Sequence, residues 1–375
     1  FAHAAATSIV SAPGAMYNPL FLYGSPGTGK THFMHSIGKG LAGTFKEDAV
    51  LLTSGARLGS AVSQSLEAGR FAEFKEFLSK AKALVVDDVH LVAVTDQNRG
   101  ALAEVFSLFF SSSHQVVLSS IYPPRALSGL EEALKISLAK GWAVDLKTPR
   151  VVVQVEIIQS WLDRHRYQLT TDDTRMFHER LASGYPEVLR WMTRLVTIGK
   201  IFQQKGQEKK PGDILNILFE PGVGPADLPS AGELERAKEF APPAPTPDAM
   251  KLALIVPKGQ DLMAGFMAKA FYQAAAHYGI QQSYRHVLLQ SYDASQPFGV
   301  PFQLGDACQR AGAQGALVLG PPHESGLAAK SGEFSHAVTH ILESLDITCG
   351  WIAHQGAMAP PPYLRAHLDL LSNRR

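Results

Sequence analysis

Two short stretches of this 375-residue chain hold residue types that can do chemistry together. The run Gly24-Ser25-Pro26-Gly27-Thr28-Gly29-Lys30-Thr31 reads G-x-x-x-x-G-K-[ST] in full. Glycines at this spacing let successive backbone N–H groups curl around a phosphate, and a helix N-terminus behind them adds its positive dipole. Lys30 would neutralise the β- and γ-phosphates of a nucleotide, and the Thr31 hydroxyl would ligate Mg²⁺. His32 closes the expected binding stretch, which runs from Gly24 to His32. Farther along, Ala83-Leu84-Val85-Val86-Asp87-Asp88 is an apolar run ending in two carboxylates. There Asp87 would hold the magnesium through water, and Asp88 would orient or deprotonate the water attacking the γ-phosphate. The expected cofactors are therefore ATP or ADP with Mg²⁺: Lys30 and Asp88 carry catalysis, and Thr31 and Asp87 hold the metal. A chance glycine-rich turn and an ordinary buried strand are the competing readings.

The elements around both motifs favour the chemical reading. Residues 20–23 form a short apolar run ending at the first glycine, and an amphipathic pattern begins at Lys30, so a strand, the motif and a helix follow in order. Further strands are expected at 49–53, 83–87 and 115–119, with helices at 70–81 and 101–110 among them. Alternation of this kind implies a parallel sheet with helices on both faces. Residues 153–165, 171–183 and 187–202 carry helical periodicity alone. Residues 204–210 are polar, and prolines recur from Pro211 through Pro221, Pro225 and Pro229 to Pro242, Pro243, Pro245 and Pro247. That composition suits a semi-ordered linker, with short helices at 214–219 and 231–240. Alternation resumes at 252–256, 286–290, 315–319 and 347–353, separated by helices at 262–278, 303–311 and 335–345, before a terminal helix over 360–375. The expected organisation is a nucleotide-binding core at 1–150, a helical lid at 151–205, a Pro-rich linker at 206–249 and a second small α/β domain at 250–375.

Composition sets limits. Apolar residues make up 46% and charged residues 18%, enough for packed cores. A net charge of +1 lacks the basic excess of a dedicated DNA-binding domain. No run reaches the roughly 18 apolar residues of a membrane span, and there is no signal-peptide pattern. Cys308 and Cys349 match no metal spacing, and a reducing cytoplasm fits them. The chain opens at Phe1 directly into a helical pattern, with Ala5 and Ile9 on its apolar face, which implies sequence upstream.

Several segments resemble the bacterial replication initiator DnaA and its relatives. They are Phe1-Ala2-His3-Ala4-Ala5-Ala6, Tyr17-Asn18-Pro19-Leu20-Phe21-Leu22-Tyr23-Gly24, and Gly29-Lys30-Thr31-His32-Phe33-Met34-His35-Ser36-Ile37-Gly38. Val86-Asp87-Asp88-Val89-His90, Val117-Leu118-Ser119-Ser120-Ile121-Tyr122-Pro123-Pro124 and Gly129-Leu130-Glu131-Glu132 continue it. The likeness spans about 1–203 and implies an AAA+ ATPase core with a lid. Members of that family assemble as filaments on DNA or regulate and load other replication proteins.

The departures are as informative. Where the family carries an arginine finger this chain has Ser137, and Lys135 is the remaining cation nearby. Pro186 stands where the resemblance expects a lid sensor arginine, with Arg190 and Arg194 one and two turns on as candidate substitutes. Ile121 replaces an acidic residue after the fourth strand. No helix-turn-helix follows; the linker and second α/β domain stand in its place. An arginine finger contributes about 10³–10⁵ in rate, so the expected hydrolysis is slow.

The second domain shows no clear site. Pro257-Lys258-Gly259-Gln260-Asp261 follows a strand and opens a helix, where open α/β sheets bind ligands. His323 and Glu324 form an acid/base pair or, as the plainer reading has it, a solvated loop. His336 and His340 share a helix face without a third metal ligand. Taken together, the residues suggest a nucleotide-dependent regulatory switch or adaptor that engages a protein partner through 250–375 and can form a homo-oligomer. The alternatives are a non-hydrolysing nucleotide-bound scaffold and a DNA-binding initiation or helicase-loading protein, the latter not favoured by the near-neutral charge.

Overall fold

A computed structural model of the chain describes residues 1–111, 114–165, 167–170, 172–173, 185–207, 209–220, 229–295, 299–357 and 359–372. It divides into two units, residues 1–153 and 154–375.

The first unit is built on β1 (Leu20–Tyr23), β2 (Val50–Ser54), β3 (Ala83–Asp87), β4 (Gln115–Ser120) and β5 (Trp142–Asp145). All pairings are parallel, in the order β2-β3-β4-β1-β5. Side chains of a strand point alternately to opposite faces, and the apolar runs obey that period. Phe21, Leu84, Val86, Val116 and Leu118 join one core with Leu58, Val62 and Phe106 from α3 (Gly55–Glu67) and α4 (Arg99–Phe110). Leu20, Leu22, Val85 and Val117 join the other with Ile9 and Met34, from α1 (Ala2–Ser11) and α2 (Lys30–Phe45). Burial on both faces explains why these strands read as continuous apolar runs. The start of β4 is held by Asn18, which precedes β1: its side chain accepts from Val116 N–H and donates to His114 O, both at 2.8 Å. The fifth strand gave no sequence signal because three of its four residues are exposed.

The second unit carries β6 (Met250–Pro257), β7 (Tyr284–Tyr292), β8 (Gly315–Leu319) and β9 (Thr348–Ile352), parallel in the order β7-β6-β8-β9. Helices Asp261–Tyr278 and Pro360–Ser372 cover one face, and Val300–Arg310 and Ser331–Ser344 the other. Both cysteines are buried, which pushes their thiols up to about 12.

Helices Val151–Arg164 and Tyr185–Gln204 occupy the expected lid segment. The helix expected over 171–183 falls outside the described residues except for 172–173, as do Pro221 and Pro225 and residues 373–375. Among its described residues the Pro-rich stretch holds two helices, Pro211–Phe219 and Ala231–Lys238; the second opens with a capping box between Ser230 and Glu233. Ile158, Val188, Met192, Leu195, Ile214 and Leu218 share one core with Ala275, Leu364 and Leu368, so the helical segment packs with the C-terminal α/β element.

His367 anchors this junction. It is fully buried and stacks on Phe271 at a 3.5 Å ring separation. Its Nε2–H donates to Phe271 O at 2.8 Å, so Nδ1, 2.9 Å from the Tyr284 hydroxyl, accepts. Burial holds its pKa down at about 4. An unfolded chain takes up this proton near pH 6.5 while the folded one refuses it until about 4, so stability is full above 6.5 and lost as pH falls between those values. Urea unfolding of the full chain should show a loss approaching roughly 3 kcal/mol from this group across that window, and the His367 ring in NMR spectra should remain the neutral Nε2–H tautomer at pH 5.5.

Candidate functional site

The P-loop lies between β1 and α2. Gly24, Gly27 and Gly29 have φ of 156°, 80° and 89°, conformations that side chains other than glycine rarely adopt. At Gly24 space is also decisive: a Cβ would fall 2.2 Å from Leu146 O. Gly29 is the N-cap of α2 with no side chain capping it, so the first-turn N–H groups at Lys30, Thr31 and His32 face outward from the helix end. Thr28 Oγ1 donates to Ser25 O at 3.0 Å, tying the loop across Pro26 and Gly27.

Lys30 is buried, and its Nζ donates to Gly24 O at 2.8 Å and Ser25 O at 3.1 Å. The ammonium therefore lies under the loop that surrounds it. Burial lowers its pKa, and Asp88 and Asp87 oppose the shift. Those two carboxylates end β3. Because β3 pairs with β4 and β4 with β1 in parallel register, the carboxyl ends of all three strands meet beside the P-loop. Thr31 hydrogen-bonds to Asp87, joining the first turn of α2 to the end of β3. Asp87 is 9% exposed; burial first, then Asp88, raises its pKa. Two buried acids beside one lysine form a site whose electrostatics favour an added cation. Asp88 is buried too, in a left-handed conformation with φ 49° and ψ 54°.

The structure thus brings Gly24–Thr31, Asp87 and Asp88 together within the first unit. It adds Ser119, which the sequence reading did not single out: its hydroxyl donates to Asp87 Oδ1, and it accepts from Asp88 N–H at 2.8 Å. A serine directly after the apolar run Val116-Val117-Leu118, in the strand paired with the one that ends in Asp87, was the available signal.

Other expected positions take ordinary places. Lys135 ends the helix Ser128–Leu134 in a left-handed conformation with an exposed side chain, and Ser137 follows it. Pro186 falls in the first turn of Tyr185–Gln204, where a missing N–H costs nothing. Arg194, expected as a substitute sensor, is already engaged: its Nε and Nη2 donate to both oxygens of Asp369 at 2.7 Å, and Trp191 lies under its guanidinium at 4.5 Å. Arg190 is held charged by Asp369 and Glu343 against the opposing effect of burial. On the second sheet, Gln260 Oε1 meets His354 Nε2 at 2.9 Å beyond the strand ends.

A parallel sheet in the order β2-β3-β4-β1-β5, flanked by helices, with a glycine-rich loop and two carboxylates at its carboxyl edge, defines an AAA+-like α/β fold. Within that class, residues 1–145 match the family described as the bacterial DnaA ATPase domain, so the first unit is DnaA-like. Among solved structures, the chain is similar to domain III of the Thermotoga maritima replication initiation protein DnaA (23% identity, 57% of this chain and 88% of that one, TM-score 0.49). It is also similar to AMPPCP-bound DnaA from Aquifex aeolicus (20%, 64% and 68%, TM-score 0.45). A third similar structure is described as a DNA replication initiation factor (15%, 92% and 92%, TM-score 0.41).

The Arg194–Asp369 geometry predicts a structural rather than nucleotide-sensing arginine. Arg194→Ala and Asp369→Ala should each destabilise the protein by roughly 3–5 kcal/mol in urea unfolding, the double variant costing less than their sum. At a temperature where both variants are folded, ATP affinity should stay within about twofold of wild type; a loss of about tenfold would assign Arg194 to the nucleotide.

Proposed function

We propose that this protein is a DnaA-like, ATP-binding regulatory switch or adaptor that hydrolyses ATP slowly and signals to a protein partner. The supporting observation is the convergence of Lys30, Thr31, Asp87 and Asp88 at one strand edge. In this reading Gly24, Ser25, Pro26, Gly27, Thr28, Gly29 and His32 surround the phosphates of ATP or ADP. Thr31 and Asp87 hold Mg²⁺, which would neutralise phosphate charge, and Asp88 orients the attacking water. Lys30 would exchange its two carbonyl partners for phosphate oxygens.

Residues 1–150 would then be the nucleotide-binding core. Residues 151–205 correspond to a lid in sequence, but their shared core with the C-terminal element favours action as one body with it. Residues 250–375 would present the partner surface, and the protein would work in the cytoplasm. Among the described residues, no helix is long and apolar enough to cross a membrane. Slow turnover follows from Ser137 at the finger position and from Arg194's engagement with Asp369. The same two features support a second reading, a scaffold that keeps its nucleotide. Single-stranded DNA binding, present in a similar structure of DnaA bound to AMPPCP and single-stranded DNA, is a third and finds no basic composition in its favour.

Purified protein should release bound ATP or ADP on denaturation, and Lys30→Ala should abolish that content. Magnesium-dependent turnover above the Lys30→Ala control, rising with protein concentration, supports an assembling switch. Bound nucleotide with no turnover at any concentration supports the scaffold, and a Lys30→Ala variant that keeps its nucleotide overturns both.

A further inference from the structure

Ser119 occupies a position with no exposure, in a strand whose neighbours Val116, Val117 and Leu118 are apolar and buried. A buried hydroxyl without partners costs about 1–3 kcal/mol, so a serine here needs a reason. Its hydrogen bonds supply one. The Oγ–H donates to Asp87 Oδ1, which fixes the rotation of that carboxylate, and the oxygen accepts from Asp88 N–H at 2.8 Å. Asp88 needs this support. Its left-handed backbone, φ 49° and ψ 54°, costs a non-glycine residue about 1–3 kcal/mol unless its surroundings over-determine it.

The carbonyl side of Asp88 is confined as closely. Gly55 opens α3 against it: a Cβ there would fall 2.4 Å from Asp88 O and 3.1 Å from Val89 Cα and Val92 N. Ser119 on the N–H side and Gly55 on the carbonyl side hold the turn that carries both acids.

We propose that Ser119 is a positioning residue for the magnesium site, setting the carboxylate of Asp87 and the peptide of Asp88 through one hydroxyl. The proposal rests on the magnesium–nucleotide reading of the P-loop. Hydrogen bonds of this kind orient the carboxylate that would hold the metal through water, and the loss of such outer partners costs about 10- to 100-fold in metal affinity. The phosphate cradle is built from backbone of Gly24–His32 and does not involve Ser119, so magnesium-free nucleotide binding should be indifferent to it.

The test is a titration of a fluorescent ADP analogue on the full chain, first in EDTA and then against rising MgCl₂. Wild type and Ser119→Ala should bind equally in EDTA. The magnesium concentration giving half of the metal-dependent change should rise about 10- to 100-fold in Ser119→Ala. Ser119→Cys, near-isosteric with a weak donor, should shift the same way and carries the test if the alanine variant does not fold. An unchanged magnesium midpoint in a folded variant overturns the proposal, as does an equal loss of affinity in EDTA, which would mark Ser119 as supporting the whole loop. Wild-type protein that binds the analogue with no magnesium effect, or fails to bind it, overturns the magnesium–nucleotide reading itself.

Discussion

Parallel pairing of β3, β4 and β1 is the constraint on which the candidate site depends. Parallel strands run in one direction, so their carboxyl ends finish together, and residues distant in the chain arrive side by side. Tyr23 is level with Ser120, and Val86 with Leu118. One residue beyond those pairs stand Gly24 at the P-loop and Asp87 with its partner Ser119. Apolar burial on both faces fixes this register, because a one-residue slip would send every inward side chain to the opposite layer.

Charge is then concentrated where the strands end. Lys30, Asp87 and Asp88 are all buried, an arrangement that burial penalises for each group and that mutual attraction offsets in part. Hydrogen bonds complete the compensation: Lys30 to two carbonyl oxygens, and Asp87 to Thr31 and Ser119. Such a cluster is costly for stability alone, which is a physical reason to read it as a functional site.

The second unit turns similar chemistry to a different end. Arg194 and Asp369 lie on helices Tyr185–Gln204 and Pro360–Ser372 and make a bidentate pair with little exposure. Arg365 donates to Leu218 O and Glu220 O at the end of Pro211–Phe219. Two neighbouring helices, Tyr185–Gln204 and Pro211–Phe219, are thereby joined through arginines to the remote C-terminal helix Pro360–Ser372, and one of those arginines, Arg194, is the residue that sequence offers as a nucleotide sensor. No spacing rule pairs residues 194 and 369; only the packing of their helices does.

The sequence by itself determined the glycine-rich loop between a strand and a helix, the two acids at the end of β3, the four apolar strands of the first sheet and the alternation that resumes near residue 250. Each of those signals is local: a glycine spacing, an apolar run of strand length, or a period that switches from 2 to 3.6. Tertiary structure decided the rest. The exposed edge strand β5 has too little burial to leave a pattern, and Ser119 acquires its role from β3 across the sheet. The helical segment joins the C-terminal α/β element because Ile158, Val188 and Leu218 find Leu364 and Leu368, contacts between residues far apart in the chain that no local period encodes.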